Sequence, residues 1–366
     1  MPTVSVLLTS YNHAPFLREA IESVLSQTFS DFELIIWDDA SVDASWEIIC
    51  SYDDPRVRAF RSQTNSGGMA FRHVFADEAV GQYVAMHHSD DAWEPDKLAK
   101  QVAYLSAHPE CAAVFTYAKG IDERGVPFEG ETVFEQPNRS QAAWLRHLLE
   151  QGNCLCHPSM LARRVVYETG GGARLGFAQL GDFDMWLRLL LRFPIHVLPE
   201  KLVRFRMLDN QRNASALRQD SLYRMPFEHA QLLGVFESVT DNAFFFAMYP
   251  ELESVYASEH LFPQYLWAML CIEKDFYGVG AWYGCNLLFR LLNDPVWGKK
   301  MVLADQQCNA TFTALIGSVD TTLRPALADS EARLAACQAQ VEALSSELGQ
   351  HYIQLAGVYG RLIRTP

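Results

Sequence analysis

Short apolar runs alternate with amphipathic stretches through the N-terminal part of the chain. The apolar runs are rich in β-branched and aromatic residues, and they predict strands at Val4–Leu8, Phe32–Trp37, Val57–Phe60 and Tyr83–Met86. Helical spacing follows each of the first three strands, and the last of these helices is predicted at Met69–Ala79. Strands that alternate with helices favour a mostly parallel sheet with helices on both faces.

Polar residues follow three of these strands, at positions 9–12, 38–43 and 87–91. In open parallel sheets, ligands bind at the carboxyl ends of the strands. We therefore expect these three segments, distant in sequence, to form one site.

The remainder of the chain divides into regions that differ in composition and in predicted secondary structure. Residues 92–215 mix predicted helices with short strands, two of them at Ile195–Leu198 and Leu202–Phe205. From about 220 to 320 the residues are rich in Leu, Phe and Tyr at helical spacing, which predicts a helical subdomain. The expected domains are therefore 1–216, 217–324 and a tail at 325–366.

The tail repeats apolar residues every seven positions, which is typical of a coiled coil and predicts a homo-oligomer. The alternative is one amphipathic helix that folds back on the body. The two stripes consist of Leu327, Leu334, Val341, Leu348, Leu355 and Leu362, and of Cys337, Leu344, His351 and Val358.

Composition excludes several classes of protein. The 366 residues are 49% hydrophobic and 20% charged, the balance of a globular chain, and a net charge of −14 argues against a broad nucleic-acid-binding face. The eight cysteines form no CxxC pair, no apolar run reaches the ~18 residues of a membrane span, and no basic leader opens the chain. These features predict a soluble cytoplasmic protein with free thiols.

The segment Met86–Leu98 carries the strongest local signal for chemistry. Asp90 and Asp91 follow a predicted strand directly, and His88 lies two residues before Asp90. Hard divalent cations prefer carboxylate oxygens, and a histidine ligand favours Mn²⁺ over Mg²⁺. The alternative is a solvated turn in which Asp91 caps the following helix.

Asp38 and Asp39 end the second strand, where a carboxylate can accept hydrogen bonds from a nucleotide base or a ribose. Taken alone, they fit a helix cap better. The later stretch Asn65-Ser66-Gly67-Gly68 predicts a turn, but it matches neither a dinucleotide fingerprint nor a phosphate-binding loop.

Taken together, these segments identify a protein family far more specifically than any one of them does. The chain resembles the family 2 glycosyltransferases, which have the GT-A fold, over roughly residues 3 to 216. The resemblance rests on SVLLTSYNHAPFLREAIESVLSQTFSDFELIIWDDASVDAS, TNSGGMAFRHVF, GQYVAMHHSDDAWEPDKL and GDFDMWLRLLLRFPIHVLPEKLVRFR. It implies an enzyme that transfers a sugar from a nucleotide diphosphate donor with inversion at the anomeric carbon.

The resemblance also assigns donor-side residues. Its positions for nucleotide, diphosphate and ribose contacts are Thr9, Tyr11, Asn12, Asp38, Asp39, Arg72, Ser89, Asp90, Asp91 and Arg206. The chain departs from the pattern twice, because His88 replaces the first Asp of the metal motif and Leu208 replaces a histidine after the closing strand. Either Asp90 and His88 hold the cation more weakly than in the family, or cationic side chains such as Arg206 and Arg212 share its role.

On the acceptor side, Asp182 matches the family's base, although Gly181 stands where a glutamate usually precedes it. Asp184 is the reserve candidate, with a surface position in the first helical turn as the alternative. Asn153 and His157-Pro158-Ser159 lie where the family shapes the acceptor site, and a packing role is the alternative for His157.

We therefore expect an inverting transferase of surface polysaccharide biosynthesis, with a UDP-linked donor, a divalent cation (Mn²⁺ or Mg²⁺) and a glycan or lipid-linked acceptor. A non-catalytic GT-A module that acts as an oligomeric scaffold is the alternative, motivated by positions 88, 181 and 208. A sugar-nucleotide pyrophosphorylase shares the sheet but needs a Gly-rich basic loop that this sequence lacks. A lipid-linked acceptor would bring the protein to the inner face of the membrane. Three aromatic clusters either make that contact or pack in a core, at Phe244–Phe246, Tyr265–Trp267 and Phe276–Trp282.

Overall fold

A computed structural model of the protein describes residues 1–67, 78–170, 172, 174–208, 219–256, 262–304 and 308–318, together with 332, 335, 336 and 338–340. Four sequence predictions therefore lie outside the described residues: nearly all of the helix at Met69–Ala79, the roles of Arg72 and Arg212, and every heptad position of the tail.

The chain divides into two compact units. The first consists of Met1–Ala214 and Gln231–Trp267, and the second of Ser215–Ala230 and Ala268–Pro366. The first unit thus holds nearly all of the predicted domain 1–216 and adds Gln231–Trp267, which the predicted division assigns to the helical subdomain.

The strands form one eight-stranded sheet in the order β3-β2-β1-β4-β7-β6-β8-β5. They are β1 (Val4–Ser10), β2 (Phe32–Asp38), β3 (Val57–Arg61), β4 (Tyr83–His88), β5 (Ala92–Trp93), β6 (Ala113–Ile121), β7 (Leu161–Arg163) and β8 (Ile195–Arg206). The described helices are α1 (Ala14–Leu25), α2 (Ser45–Cys50), α3 (Lys97–Ala107), α4 (Gln141–Gln151), α5 (Arg164–Gly170), α6 (Gly181–Leu190), α7 (Gln219–Leu233), α8 (Asn242–Met248), α9 (Glu253–Tyr256), α10 (Pro263–Lys274), α11 (Gly280–Asn293), α12 (Trp297–Ala304) and α13 (Cys308–Ser318).

The pairing confirms the mostly parallel sheet. Strands β3, β2, β1 and β4 are parallel neighbours, as are β6 and β8, whereas β7 and β5 run antiparallel to their partners. The four predicted N-terminal strands all form. Their apolar runs identified them, because a strand that is buried on both faces is apolar along its length.

Strand β8 differs from the prediction of two short strands. It is one strand, and its register with β6 jumps from Leu198 opposite Thr116 to Lys201 opposite Tyr117. Pro199 and Glu200 form the bulge between them. Proline has no N–H for the ladder, so a bulge is one of the few places that tolerate it in a sheet.

The first helix is held by its buried face and by a side chain at its N-terminus. Leu17, Ala20, Ile21 and Val24 are fully buried in the core that covers the sheet. At its start, Asp43 accepts the backbone N–H of Ala14 at 3.0 Å, which satisfies one of the free donors of the first turn. Helix α1 therefore begins directly beside the polar segments that follow β1 and β2.

The second unit contains closely packed helices, as the sequence predicts for this region. A Cβ atom on Gly280 would lie 2.6 Å from the carbonyl oxygen of Cys271, and one on Gly284 would lie 2.5 Å from that of Ala268. These two glycines of α11 therefore allow its backbone to approach the neighbouring helix closely.

Each of the three aromatic clusters proposed for membrane contact has a buried ring. Phe245, Trp267 and Phe276 are buried, and the rings of Phe245 and Trp267 stack with centroids 5.6 Å apart. The packed-core alternative is thus the correct one for these residues. Among the described residues, no helix has the length and apolar character to cross a membrane.

Candidate active site

The register of the sheet brings the three polar segments to one edge. Ser10 at the end of β1 is opposite Asp38 at the end of β2, and Thr9 is opposite His88 at the end of β4. The predicted convergence of positions 9–12, 38–43 and 87–91 is therefore confirmed. It follows from parallel pairing, which aligns the carboxyl ends of neighbouring strands.

Asn12 joins the first two segments. Its side-chain oxygen accepts the backbone N–H of Val42 at 2.8 Å, and its own N–H donates to the hydroxyl of Ser41 at 2.9 Å. Its φ of 53° lies in the left-handed region, which asparagine tolerates better than most residues. Asn12 thus shapes the edge, with Thr9 half-buried and Tyr11 exposed on either side of Ser10.

The acidic pair after β2 is largely committed to the loop. Asp38 is fully buried, and its Oδ2 accepts the backbone N–H of Ser41 at 3.1 Å and lies 3.2 Å from Nε of Arg61. Its Oδ1 has no hydrogen-bond partner among the described residues. Asp39 accepts both the backbone N–H and the hydroxyl of Ser66, which ties the turn at 65–67 to the site. The helix-cap interpretation is therefore wrong for both, because α2 has Ala44 at its N-cap and no side-chain cap, and the two carboxylates bind Ser41 and Ser66 instead.

His88, Asp90 and Asp91 form a compact cluster of ligand atoms, all within 4.8 Å of one another. Oδ1 of Asp91 accepts the backbone N–H of Arg206 at 2.8 Å. Oδ2 of Asp91 is buried without a hydrogen-bond partner among the described residues, and it lies 3.6 Å from Nδ1 of His88.

The electrostatics of this cluster suit a cation. Burial, with the nearby Asp90 carboxylate, raises the pKa of Asp91 well above its usual range. Burial and the adjacent His157 hold the pKa of His88 at about 4, so its imidazole is neutral near pH 7 and offers a lone pair. Two carboxylates and a neutral imidazole are a donor set that fits Mn²⁺ or a similar divalent cation. Ser89, which lies between His88 and Asp90 in sequence, is buried.

Arg206, which the resemblance assigns to the donor side, is buried among protein groups. The side chain is only 2% exposed, with Nε donating to the carbonyl oxygen of Asp90 at 2.8 Å and another nitrogen bound to Glu19 of α1. It also donates to the carbonyl oxygens of Asp122 and Glu123. Its guanidinium therefore stabilises the Asp90–Asp91 turn through the backbone carbonyl of Asp90.

His13 is a site residue that the sequence analysis missed. It directly follows the 9–12 segment, and its Nδ1 lies 2.9 Å from the hydroxyl of Ser89 and 4.0 Å from a carboxylate oxygen of Asp90. The signal that would have found it is its position at the end of β1, beside residues already singled out.

Asp182 lies in the first turn of α6, half-buried. Its Oδ2 accepts the side-chain amide of Asn153 at 3.0 Å, and its Oδ1 accepts the backbone N–H of Phe183 at 2.7 Å. Burial raises the pKa of Asp182 to about 6, although both hydrogen bonds oppose that rise. A carboxylate with such a pKa suits a general base near neutral pH.

The contacts of Asp184 argue against its role as the reserve base. It is fully buried, and its oxygens accept from Nε of Arg174 at 3.0 Å and from Nε of Arg188 at 2.9 Å. The alternative of a surface position is wrong, because the side chain is not exposed. Asp184 is the centre of a buried ion-pair group that anchors α6.

The segment 153–157 connects the two sides of the site. Asn153 contacts Asp182, and His157 contacts His88, with Nδ1 of His157 3.3 Å from Nε2 of His88. Cys156 lies between Asn153 and His157 in sequence, and its thiol is buried. The pKa of this thiol is raised chiefly by burial and also by the charges of Asp91 and Asp182. The cation cluster and the predicted base therefore share one neighbourhood.

Comparison with known proteins shows which chains this one is similar to. Residues 5–171 match the model of the family described as glycosyl transferase family 2. A putative glycosyltransferase, EpsE of Bacillus subtilis, is 33% identical over 51% of this chain and 66% of its own length. The putative teichuronic acid biosynthesis glycosyltransferase TuaG of the same organism is 29% identical over 57% of this chain and 81% of its own.

A further sequence relative and a solved structure are also similar to this chain. The Escherichia coli UDP-Glc:alpha-D-GlcNAc-diphosphoundecaprenol beta-1,3-glucosyltransferase WfaP is 27% identical over 52% of this chain and 71% of its own length. The crystal structure of Staphylococcus aureus TarS 1–349 in complex with UDP-GlcNAc matches with a TM-score of 0.57 at 16% identity, over 86% of this chain and 89% of that one. At this identity, the structural likeness shows a shared fold.

Proposed function

We propose that the chain is a glycosyltransferase of family 2 and that it transfers a sugar with inversion from a UDP-linked donor to a glycan or lipid-linked glycan during polysaccharide biosynthesis. The observation that carries the proposal is the placement of Asp182. A hydrogen-bonded carboxylate with a pKa of about 6 shares the 153–157 segment with the His88–Asp90–Asp91 cluster. The names of the relatives support the donor and acceptor classes, since WfaP acts with UDP-Glc on a diphosphoundecaprenol-linked sugar.

In this mechanism Asp182 accepts the proton of the acceptor hydroxyl as that oxygen attacks the anomeric carbon. Inversion requires the attack to come from the face opposite the leaving nucleoside diphosphate, so base and diphosphate sit on opposite sides of the sugar. Asn153 keeps the carboxylate in place through its amide hydrogen bond. The hydrogen bond from the Phe183 N–H favours the ionised form that a base needs.

On the donor side, the residues at the strand ends bind and orient the nucleotide. Thr9, Tyr11 and Asn12 flank the edge, and the buried Oδ1 of Asp38 offers an acceptor to a base N–H or a ribose hydroxyl. A divalent cation held by His88, Asp90 and Asp91 would offset the charge that develops on the leaving diphosphate.

Nucleotide-dependent stabilisation tests this function. The protein is heated with UDP, GDP, dTDP or CDP and with their sugars, each in Mn²⁺, Mg²⁺ or EDTA. A ligand at a hundred times its dissociation constant stabilises the folded state by about 2.7 kcal/mol, which raises the melting temperature measurably. We expect a shift selective for UDP and enhanced by metal. No shift with any nucleotide, together with no sugar transfer, would contradict the proposal.

The scaffold alternative has less support. With the departures at His88 and Gly181, the chain still has three candidate cation ligands and a hydrogen-bonded carboxylate at position 182. Oligomerisation through residues 325–366 stays a proposal that rests on the heptad pattern, and attachment to a membrane rests only on the proposed lipid-linked acceptor.

A further inference from the structure

The two imidazoles of His88 and His157 meet edge to face. Nε2 of His88 lies 3.3 Å from Nδ1 of His157, and the ring planes are 78° apart. The other nitrogen of His88, Nδ1, faces Oδ2 of Asp91 at 3.6 Å. His88 thus lies between a carboxylate of the cation cluster and a second imidazole.

His157 is itself held by the fold. It begins the short 3₁₀ turn His157–Ser159, in which the carbonyl oxygen of Pro158 accepts the indole N–H of Trp93 at 2.9 Å. Its ring packs against that of Trp186 on α6, with centroids 5.5 Å apart. The 3₁₀ turn that carries His157, and the ring of His157 through Trp186, are therefore held by contacts that do not involve His88.

A neutral imidazole carries one hydrogen and one lone pair, on different nitrogens. If His88 gives the lone pair of Nδ1 to a cation, its hydrogen must be on Nε2 and needs an acceptor. Nδ1 of His157 is at the right distance to be that acceptor. Partners of this kind orient a metal-binding histidine and fix its tautomer, and their loss typically weakens metal binding 10–100-fold.

We propose that His157 is a positioning residue for the cation, accepting the Nε2–H of His88 so that Nδ1 of His88 faces an ion shared with Asp90 and Asp91. The inference rests on the proposed function, which places a cation there. It also gives a reason why a histidine works at position 88, where the family motif has an aspartate. Through its ring contact with Trp186, His157 also touches α6, the helix that carries Asp182.

The test is Mn²⁺ binding to the full chain, followed by the electron paramagnetic resonance signal of the free ion, with and without UDP. His157→Phe keeps a ring against Trp186 but removes the acceptor nitrogen. His157→Asn restores a polar atom near the position of Nδ1. His108→Ala, which removes an imidazole that stacks on Tyr104, is the matched control. Thermal unfolding checks that each variant is folded.

We expect His157→Phe to weaken Mn²⁺ binding about 10–100-fold, His157→Asn to recover most of it, and His108→Ala to bind as the wild type does. Equal Mn²⁺ affinity in His157→Phe and the wild type would overturn the inference, as would equal losses in the Phe and Asn variants. A wild type that binds no Mn²⁺ would overturn it as well, even if Asp182-dependent transfer is found. A selective loss in His157→Phe, in a protein without transferase activity, would support the inference and count against the proposed function.

Discussion

The side-chain amide of Asn153 donates a hydrogen bond of 3.0 Å to the carboxylate of Asp182. Asn153 follows α4 and Asp182 opens α6, so the contact links two segments 29 residues apart. The bond favours the charged carboxylate, whereas burial favours the neutral acid, and burial prevails to leave a pKa of about 6. At neutral pH the group is ionised yet more basic than an ordinary aspartate.

Replacing Asp182 tests its role as the base. Asp182→Asn keeps the size of the side chain but removes its ability to take a proton, so we expect the transfer rate to fall about 10²–10⁴-fold. Binding of UDP, measured by thermal shift, should be unchanged. Asp53→Asn, an exposed carboxylate near α2, is the control. Transfer at the wild-type rate by Asp182→Asn would remove Asp182 from the mechanism.

The pH dependence of kcat/KM should report the same group. A base must be deprotonated, so activity is expected to fall as the pH drops through about 6. In Asn153→Ala the carboxylate loses a hydrogen bond that favours its charged form, so its pKa rises and the acid limb moves to higher pH. A limb at the same pH in both proteins would show that another group titrates.

The location of the site follows from the sequence because it depends on sheet topology. Alternating strands and helices predict parallel neighbours, and parallel neighbours place residues 9–12, 38–43 and 87–91 at one edge. The strand β8 was predicted as two pieces because Pro199 and Glu200 interrupt its apolar pattern, whereas pairing with β6 continues on both sides of them. The local apolar pattern of β8 does not show that its pairing with β6 continues on both sides of the bulge.

The roles of individual charged residues follow from the sequence less well. Asp182 and Asp184 are two positions apart on a helix, which turns them about 200° from each other, so one faces the site and the other the interior. Arg206 and His13 depend on contacts with residues far away in sequence, to Glu19 and Ser89 respectively. Such contacts leave no local signal.

The preference for the cation should depend on position 88. His88→Asp turns the cluster into an all-oxygen site, so we expect affinity for Mg²⁺ to rise relative to Mn²⁺, since imidazole nitrogen favours the borderline metal. The two dissociation constants are measured by competition, with His108→Asp as the control. An unchanged ratio would mean that His88 is not a ligand.

The tail should determine the oligomeric state. Leu334→Asp combined with Leu348→Asp places charges in the predicted seam, so we expect the oligomer to dissociate to monomers by light scattering at tens of micromolar. Ala335→Asp lies outside the heptad stripes and should leave the mass unchanged. A wild-type monomer under these conditions would overturn the coiled-coil prediction.

Asp184 should matter for stability and not for the chemical step. Its buried carboxylate accepts hydrogen bonds from both Arg174 and Arg188, and Asp184→Asn removes the negative charge on which the two guanidiniums converge. Breaking a buried pair on one side typically costs 3–5 kcal/mol, and because Arg174 is 40% exposed we expect the lower end, about 3 kcal/mol. Urea unfolding measures the loss as a lower midpoint at unchanged slope. The folded fraction of Asp184→Asn should still transfer sugar, whereas Asp182→Asn should unfold near the wild-type midpoint and be inactive. If the two variants exchange these behaviours, the base is Asp184 and the assignment of the two carboxylates is reversed.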